Sequence, residues 1–276
     1  MLACFLLLAL LGAALYAILT TSFSVWTALL IALLVFLGLN LLFALVFALH
    51  SLTLRRLKPE EGLEKTNPIS RLLCTGVARW LCDWGGARPR LLGEEKLPRE
   101  PFLFICNHRS MFDPLAAMVL LRHYALGFVS KPSNLAIPCV GIEARYMGCL
   151  AIDRENNREA LKTILLAADY LKRGVCSIGI YPEGTRSRGG ELLPFHAGSF
   201  KIAQRAGVPV VVACVRGTER VARRGFLRPT RVELEILEVL DPVHVKALGT
   251  NELAEEARAR IAQALGANEQ GGNTHE

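Results

Sequence analysis

The first 54 residues contain no Asp, Glu, Lys or Arg. Such a stretch cannot serve as the surface of a water-soluble domain, which excludes a simple soluble enzyme. With 52% hydrophobic residues over 276 positions, an intrinsically disordered chain is excluded as well. The eight cysteines (Cys4, Cys74, Cys82, Cys106, Cys139, Cys149, Cys176 and Cys214) form no Cys-x-x-Cys pair and no zinc-like spacing. That excludes a zinc ribbon or a dithiol redox centre, agrees with a reducing compartment, and leaves them as small apolar side chains. The sequence also lacks internal repeats, a metal-ligand cluster, a dinucleotide glycine fingerprint and a Walker loop, so no metal, nucleotide cofactor or nucleic-acid partner is expected.

What the N-terminus does have is two apolar runs, Leu2 to Thr20 and Val25 to about Leu49, with Thr21, Ser22, Phe23 and Ser24 between them. A helix needs ~20 apolar residues to cross a bilayer core of ~30 Å, and both runs qualify. They are read as a transmembrane helical hairpin. The rival readings are a cleaved signal peptide followed by one anchor, and a single bent or re-entrant anchor. Met1-Leu2-Ala3-Cys4 supplies none of the positive charge that a signal peptide begins with. Arg55, Arg56 and Lys58 follow the second run and keep their side of the membrane cytoplasmic. The expected location is therefore a membrane, by lean a bacterial inner membrane, crossed more than once with the remaining chain on the cytoplasmic side. That remainder carries all 32 basic and 25 acidic residues, a net charge of +7, which suits an anionic leaflet or a phosphorylated substrate.

The expected organisation is two transmembrane helices over 1–57, a linker over 58–97, an α/β domain over 98–266 and a flexible tail over 267–276. Within the linker, Ile69, Leu72, Leu73, Val77, Trp80, Leu81 and Trp84 fall on one helical face. Residues 69–84 are thus an amphipathic helix, lying either at the headgroup boundary or packed on the following domain. From Pro101 onward, apolar strands alternate with helices: strands at 102–106, 126–129, 149–152, 175–181 and 208–215, and helices at 114–122, 158–172 and 198–206. The second helix is expected to bury Leu161, Leu165, Ala168 and Leu171. Residues 232–240 alternate as an edge-like strand, and a last helix is capped by Thr250 or Asn251 and runs to about Leu265. Alternation of this kind means a layered α/β fold with a mixed, largely parallel sheet.

Loops after the C-terminal ends of such strands are where these sheets bind ligands, and two of them are unusually polar. The first runs from Asn107 to Asp113. His108 and Asp113 are five apart with Pro114 next, so Asp113 suits a helix N-cap. Its carboxylate could also face His108, hold one imidazole tautomer and make the ring a general base for a hydroxyl proton. Spacing alone leaves both readings open, a bare N-cap beside a surface histidine or a working pair. In the second loop Glu183, Thr185, Arg186 and Arg188 surround Gly184, either as an anion-binding turn or as a solvated one. His50, His123, His196, His244 and His275 have no carboxylate at matching spacing and are read as structural or exposed.

Four blocks in order resemble the glycerolipid acyltransferases typified by 1-acyl-glycerol-3-phosphate acyltransferase. They are Asn107-His108 through Asp113; Lys131-Pro132, Pro138, Gly141 and Ile152-Asp153-Arg154; Tyr181 through Ser187; and Val208-Pro209-Val210-Val211. The departures are Met111 where an aromatic is frequent, Tyr181 where Phe is frequent, and His196 where Lys often follows Pro-Phe.

The resemblance implies acyl transfer from a thioester to the sn-2 hydroxyl of lysophosphatidic acid, forming phosphatidic acid. His108 would be the general base and Asp113 its orienting partner. Lys131, Arg154 and Arg186 would bind the acceptor's phosphate, while Glu183, Gly184 and Thr185 shape that pocket, Glu183 by holding a neighbouring arginine. Acyl-CoA or acyl carrier protein would be the donor, and no cofactor would be required. A thioester is already activated, which disfavours Ser110 or Cys106 as a nucleophile. The arginine-rich run Arg216, Arg220, Arg223, Arg224, Arg228 and Arg231 is either a leaflet contact, a solvated loop or a dock for an acidic carrier protein. Rival functions are acylation of another lyso-lipid, and a non-catalytic membrane protein that binds anionic lipid.

Overall fold

The computed structural model of the chain describes residues 2–19, 24–56, 62–187, 191–224 and 228–271. Its contacts divide it into two units, residues 1–58 and 59–276.

The first unit consists of α1 (Leu2–Leu19) and α2 (Val25–Arg56), which pack against one another. Among the described residues, Val25–Arg55 is long and apolar enough to cross a membrane, and the apolar stretch Cys4–Ala17 of α1 is shorter. Leucines cover the outside of α2, among them Leu29, Leu33, Leu37 and Leu41, each more than half exposed. An apolar surface on all sides is stable only where the surroundings are apolar too. The polar break at 21–23 and Lys58 lie outside the described residues.

The second unit opens with α3 (Pro68–Trp84). Asn67 caps it, its side-chain oxygen accepting from Ile69 N and Ser70 N at 2.9 and 3.1 Å, and Pro68 sits where a missing N–H costs nothing. The buried face is Ser70, Leu73, Cys74, Ala78 and Cys82, while Ile69, Leu72 and Trp84 are 50%, 72% and 42% exposed. The apolar residues grouped on one face are thus split, Leu73 inward and Ile69, Leu72 and Trp84 outward. Small residues at intervals of four let α3 approach its neighbours closely, and the bulkier apolar side chains are left outside.

Next comes β1 (Ala87–Leu92), inside the stretch read as linker. It is followed by β2 (Leu103–Cys106), α4 (Phe112–Leu120), β3 (Leu126–Ser130), α5 (Pro132–Leu135), α6 (Val140–Met147) and β4 (Leu150–Ala151). The chain continues through α7 (Asn157–Lys172), β5 (Ser177–Ile180), α8 (Lys201–Ala206), β6 (Val210–Arg216), α9 (Thr218–Arg224) and β7 (Thr230–Leu240), and closes with α10 (Pro242–Ala247) and α11 (Thr250–Gly271). The last helix thus runs past Gly266, into the stretch expected as tail.

The strands form one seven-stranded sheet in the order β1-β7-β6-β2-β5-β3-β4. Every neighbouring pair is parallel except β6–β7, so the mixed, largely parallel α/β sheet is as expected. β7 is not an edge: β1 covers it, pairing Ala87 through Leu92 with Thr230 through Glu235. The alternation that suggested an edge comes from one polar face, and β1 escaped notice because Arg88, Pro89 and Arg90 interrupt it; a proline is tolerated in an edge strand. Leu103 and Ile105 of β2 face a core shared with α7, α8 and α11, and Phe104 and Cys106 face a second core shared with α3, α4 and α6. In α7 the buried residues are Ala167, Ala168, Tyr170 and Leu171, whereas Leu161 and Leu165 are 47% and 41% exposed, against expectation. Because β2, β3, β4, β5 and β6 all run the same way, the loops that follow them leave along one edge of the sheet.

Candidate active site

β2 lies in the middle of the sheet with all four residues buried, the pattern of a strand covered on both faces. It delivers Asn107 and His108 to that edge. The buried Asn107 side chain mimics a strand residue: its Nδ2 donates to Val215 O at 3.0 Å and its Oδ1 accepts from Val215 N at 2.8 Å. This extends the β2–β6 pairing by one position and fixes where the chain turns.

His108 is held from four directions. Its Nδ1 lies 2.7 Å from Asp113 Oδ2, and its amide donates to Glu183 Oε1 at 2.6 Å. Its carbonyl accepts from Ser187 N at 2.8 Å and Ser187 Oγ at 3.1 Å. Its ring stacks on Tyr181 at 4.5 Å between centroids, and Phe128 backs Tyr181 at 6.1 Å. The side chain is 20% exposed. An ionised carboxylate can only accept, so Nδ1 carries the proton and Nε2 keeps the lone pair that a hydroxyl proton needs.

Asp113 is 1% exposed. It is not the N-cap of α4, a position that Met111 takes without a side-chain bond. Its carboxylate turns back from the first turn instead, Oδ2 accepting from Arg109 N at 2.7 Å and Ser110 N at 2.8 Å as well as facing His108. The loop is therefore wound around the carboxylate, and His108 and Asp113 are brought together rather than standing as a bare N-cap beside a surface histidine. Cys106 beneath it is fully enclosed, and burial pushes its thiol well above the ordinary value, so it is no nucleophile.

The second loop supports the first. Glu183 is 3% exposed; Oε1 accepts from His108 N, and Oε2 accepts from Leu193 N at 3.1 Å. Burial raises its carboxyl, and these two amides pull it back. The expectation that Glu183 holds an arginine is thus corrected: it holds backbone, tying the two loops together. Gly184 has φ 73°, and a Cβ there would lie 2.7 Å from Arg154 Nη1 and 2.9 Å from His196 Nε2. Arg154, Gly184 and His196 therefore meet at one point, a role for His196 that spacing did not reveal. Partial desolvation lowers the pKa of Arg154, yet the side chain remains exposed enough to stay a cation. Lys131, Thr185 and Arg186 are exposed. Lys131 precedes α5 and leaves β3 beside the exit of β4 toward Arg154, Ile152 N donating to Ser130 O at 2.9 Å. Arg188 lies outside the described residues. Among the described residues no group of His, Cys, Asp or Glu could hold a metal ion.

Thr218, whose hydroxyl donates to Asp113 Oδ1, was also missed. It stands 105 residues from its partner, and the available signal was its place just beyond another parallel strand. Of the arginine run, Arg216 pairs with Glu235 at 2.8 Å, Arg220 with Glu219 at 3.5 Å and Arg231 with Glu233 at 2.6 Å. The side chains of Arg223 and Arg224 lie outside the described residues.

The chain is similar to several known proteins. It is 37% identical over 166 residues to a 1-acyl-sn-glycerol-3-phosphate acyltransferase of Salmonella typhimurium, covering 59% of this chain and 66% of that one. It is 36% identical over 153 residues to the protein of the same name from Escherichia coli, covering 55% and 61%. It thus spans just under two thirds of the length of these relatives. A crystal structure of the 1-acyl-sn-glycerophosphate acyltransferase PlsC of Thermotoga maritima has the same fold, with a TM-score of 0.57 at 23% identity over 84% of this chain and 95% of that one. The family model described as Acyltransferase matches residues 88–216, which hold β1 through β6 and both polar loops. Residues 88–216 are therefore similar to acyltransferase-family domains.

Proposed function

We propose that the protein transfers an acyl group from a thioester to the sn-2 hydroxyl of 1-acyl-glycerol-3-phosphate, forming phosphatidic acid. The observation that carries this reading is the 2.7 Å pairing of His108 Nδ1 with a buried Asp113, which leaves Nε2 without a partner among the described residues. The relatives named above supply the acceptor.

His108 Nε2 takes the hydroxyl proton as the alcohol oxygen attacks the thioester carbonyl carbon. Asp113 stabilises the imidazolium so formed. The tetrahedral intermediate collapses, the C–S bond breaks, and the leaving thiolate recovers the proton from Nε2. No acyl-enzyme is required and no cofactor enters; the donor is acyl-CoA or acyl carrier protein. Arg154 binds the acceptor phosphate, supported by its partly exposed guanidinium and its close approach to Gly184 and His196. Lys131 and Arg186 are exposed at the same edge and supply further positive charge, while Glu183, Gly184 and Thr185 shape the pocket.

The acceptor lives in a leaflet, and α1 with α2 form a membrane hairpin that keeps the catalytic unit on the cytoplasmic face of a bacterial inner membrane. The long apolar α2 and the basic Arg55 in its last turn support this reading.

The test uses the purified full-length protein, labelled acyl-CoA and acyl carrier protein, and a panel of lyso-lipids. Phosphorylated acceptor is expected to be converted to diacyl product, and His108→Ala to lose about 10²- to 10⁴-fold in rate, the usual contribution of a general base, while binding of the lyso-lipid survives. Transfer at the wild-type rate would remove His108 from the mechanism.

A further inference from the structure

The Asp113 carboxylate gathers its donors from two places. Oδ2 faces His108 Nδ1 and accepts the amides of Arg109 and Ser110, all from its own loop. Oδ1 is met from a different part of the fold, by the hydroxyl of Thr218. Thr218 is fully buried and begins α9, two residues past Arg216 at the end of β6. Gly217 before it has φ 84°, and a Cβ there would come within 2.3 Å of the carbonyl oxygen of Arg231. A glycine is needed for the chain to press against β7 and turn the next side chain inward. Asn107 clamps the same strand end through its two bonds to Val215. Thr218 is thus anchored by the sheet, not by the loop that carries Asp113.

We propose that Thr218 is a positioning residue of the transfer reaction: its hydroxyl, donating to Oδ1, fixes the plane of the Asp113 carboxylate so that Oδ2 stays opposite His108 Nδ1. This rests on His108 acting as the base. The chemistry requires the donor. An ionised carboxylate has only acceptors, so the hydroxyl must give its hydrogen. Oδ1 has no other hydrogen-bond donor among the described residues, and an anionic oxygen buried without one is poorly stabilised. Deprived of it, the carboxylate can rotate away from Nδ1, and the imidazolium that forms in the reaction is stabilised less. Serine keeps the donor; valine keeps the shape and removes it.

The experiment compares full-length wild type, Thr218→Val, Thr218→Ser and His108→Ala in the same detergent, reading kcat and KM across the neutral pH range together with the melting temperature. Thr218→Val is expected to lower kcat about 10- to 100-fold, by analogy with the loss when the outer partner of a metal-bound imidazole is removed. Both KM values should stay near wild type, and the acid limb of kcat/KM should move to lower pH. Thr218→Ser should restore both rate and profile. If the valine variant does not fold, Thr218→Ala takes its place with the same expectations. A folded Thr218→Val with the wild-type rate and profile overturns the proposal, as does a rate loss with an unmoved profile that serine fails to rescue. His108→Ala separates the two claims: full activity there defeats the base itself, whereas an inactive His108→Ala beside an unaltered Thr218→Val defeats only the role of Thr218.

Discussion

Arg154 reaches its place because residue 184 has no side chain. Any Cβ there would meet its guanidinium at 2.7 Å and the His196 ring at 2.9 Å, and the positive φ would strain it besides. A guanidinium beside exposed backbone suits a dianionic phosphate, and bonds to a charged group contribute about 1.5–3 kcal/mol each. Arg154→Ala is therefore expected to raise the KM for the phosphorylated acceptor by about 10- to 100-fold with kcat much less affected; an unchanged KM in initial-rate assays would refute its role. At this scale much of the site could be read from the sequence. His108 with Asp113 and the Glu183–Arg186 turn each sit inside a short motif. Thr218 and Asn107 could not be assigned, because their partners lie more than a hundred residues away in the chain. Glu183 was found but given the wrong partner, since a pattern of residue types does not distinguish a carboxylate that grips amides from one that grips an arginine.

Among the elements, continuous apolar runs made β2, β5 and β6 legible, as strands covered on both faces must be. Helix faces were harder. In α7 the face with Leu161 and Leu165 was taken as the inward one, but Ala167 and Ala168 are buried beside Tyr170 and Leu171. Where small residues set the distance between layers, bulk is no guide to burial. The helices α10 and α11 show a second kind of contact that spacing missed, His244 Nε2 lying 2.9 Å from Glu256 Oε2. Glu256 raises the His244 pKa above 6.5, with Asp241 and Glu238 adding to the effect. A raised folded-state value means that the stabilisation is fully present below pH 6.5 and is lost as pH rises through the folded value. The difference in melting temperature between wild type and His244→Ala should therefore shrink from acidic to alkaline buffer. A difference that grows with pH would contradict the pairing.

Taken whole, the chain holds an apolar N-terminal unit and a basic α/β unit, with the net +7 carried entirely beyond residue 54. Three arginines of the run after β6 are already paired with carboxylates, so only part of that charge can act at a distance. Exposed basic residues near an anionic surface contribute about 1 kcal/mol each, and salt screens them. The apparent KM for acceptor in anionic mixed micelles should rise several-fold as salt is raised from low concentration to ~0.5 M, while neutral micelles show little change. Equal salt dependence in both would remove the surface charge from substrate delivery.

The order of the strands sets one further condition, on when folding can finish. β1 has β7 as its sheet partner, and Ala87 waits for Thr230, Leu92 for Glu235. A growing chain that has already made β1 through β6 still has a bare strand at one margin, with unmet amides and carbonyls, until the last strand leaves the ribosome. Closure joins an early segment to a late one across the whole catalytic unit, so a nascent protein stopped before residue 230 would leave that margin open to a chaperone or to another unfinished copy.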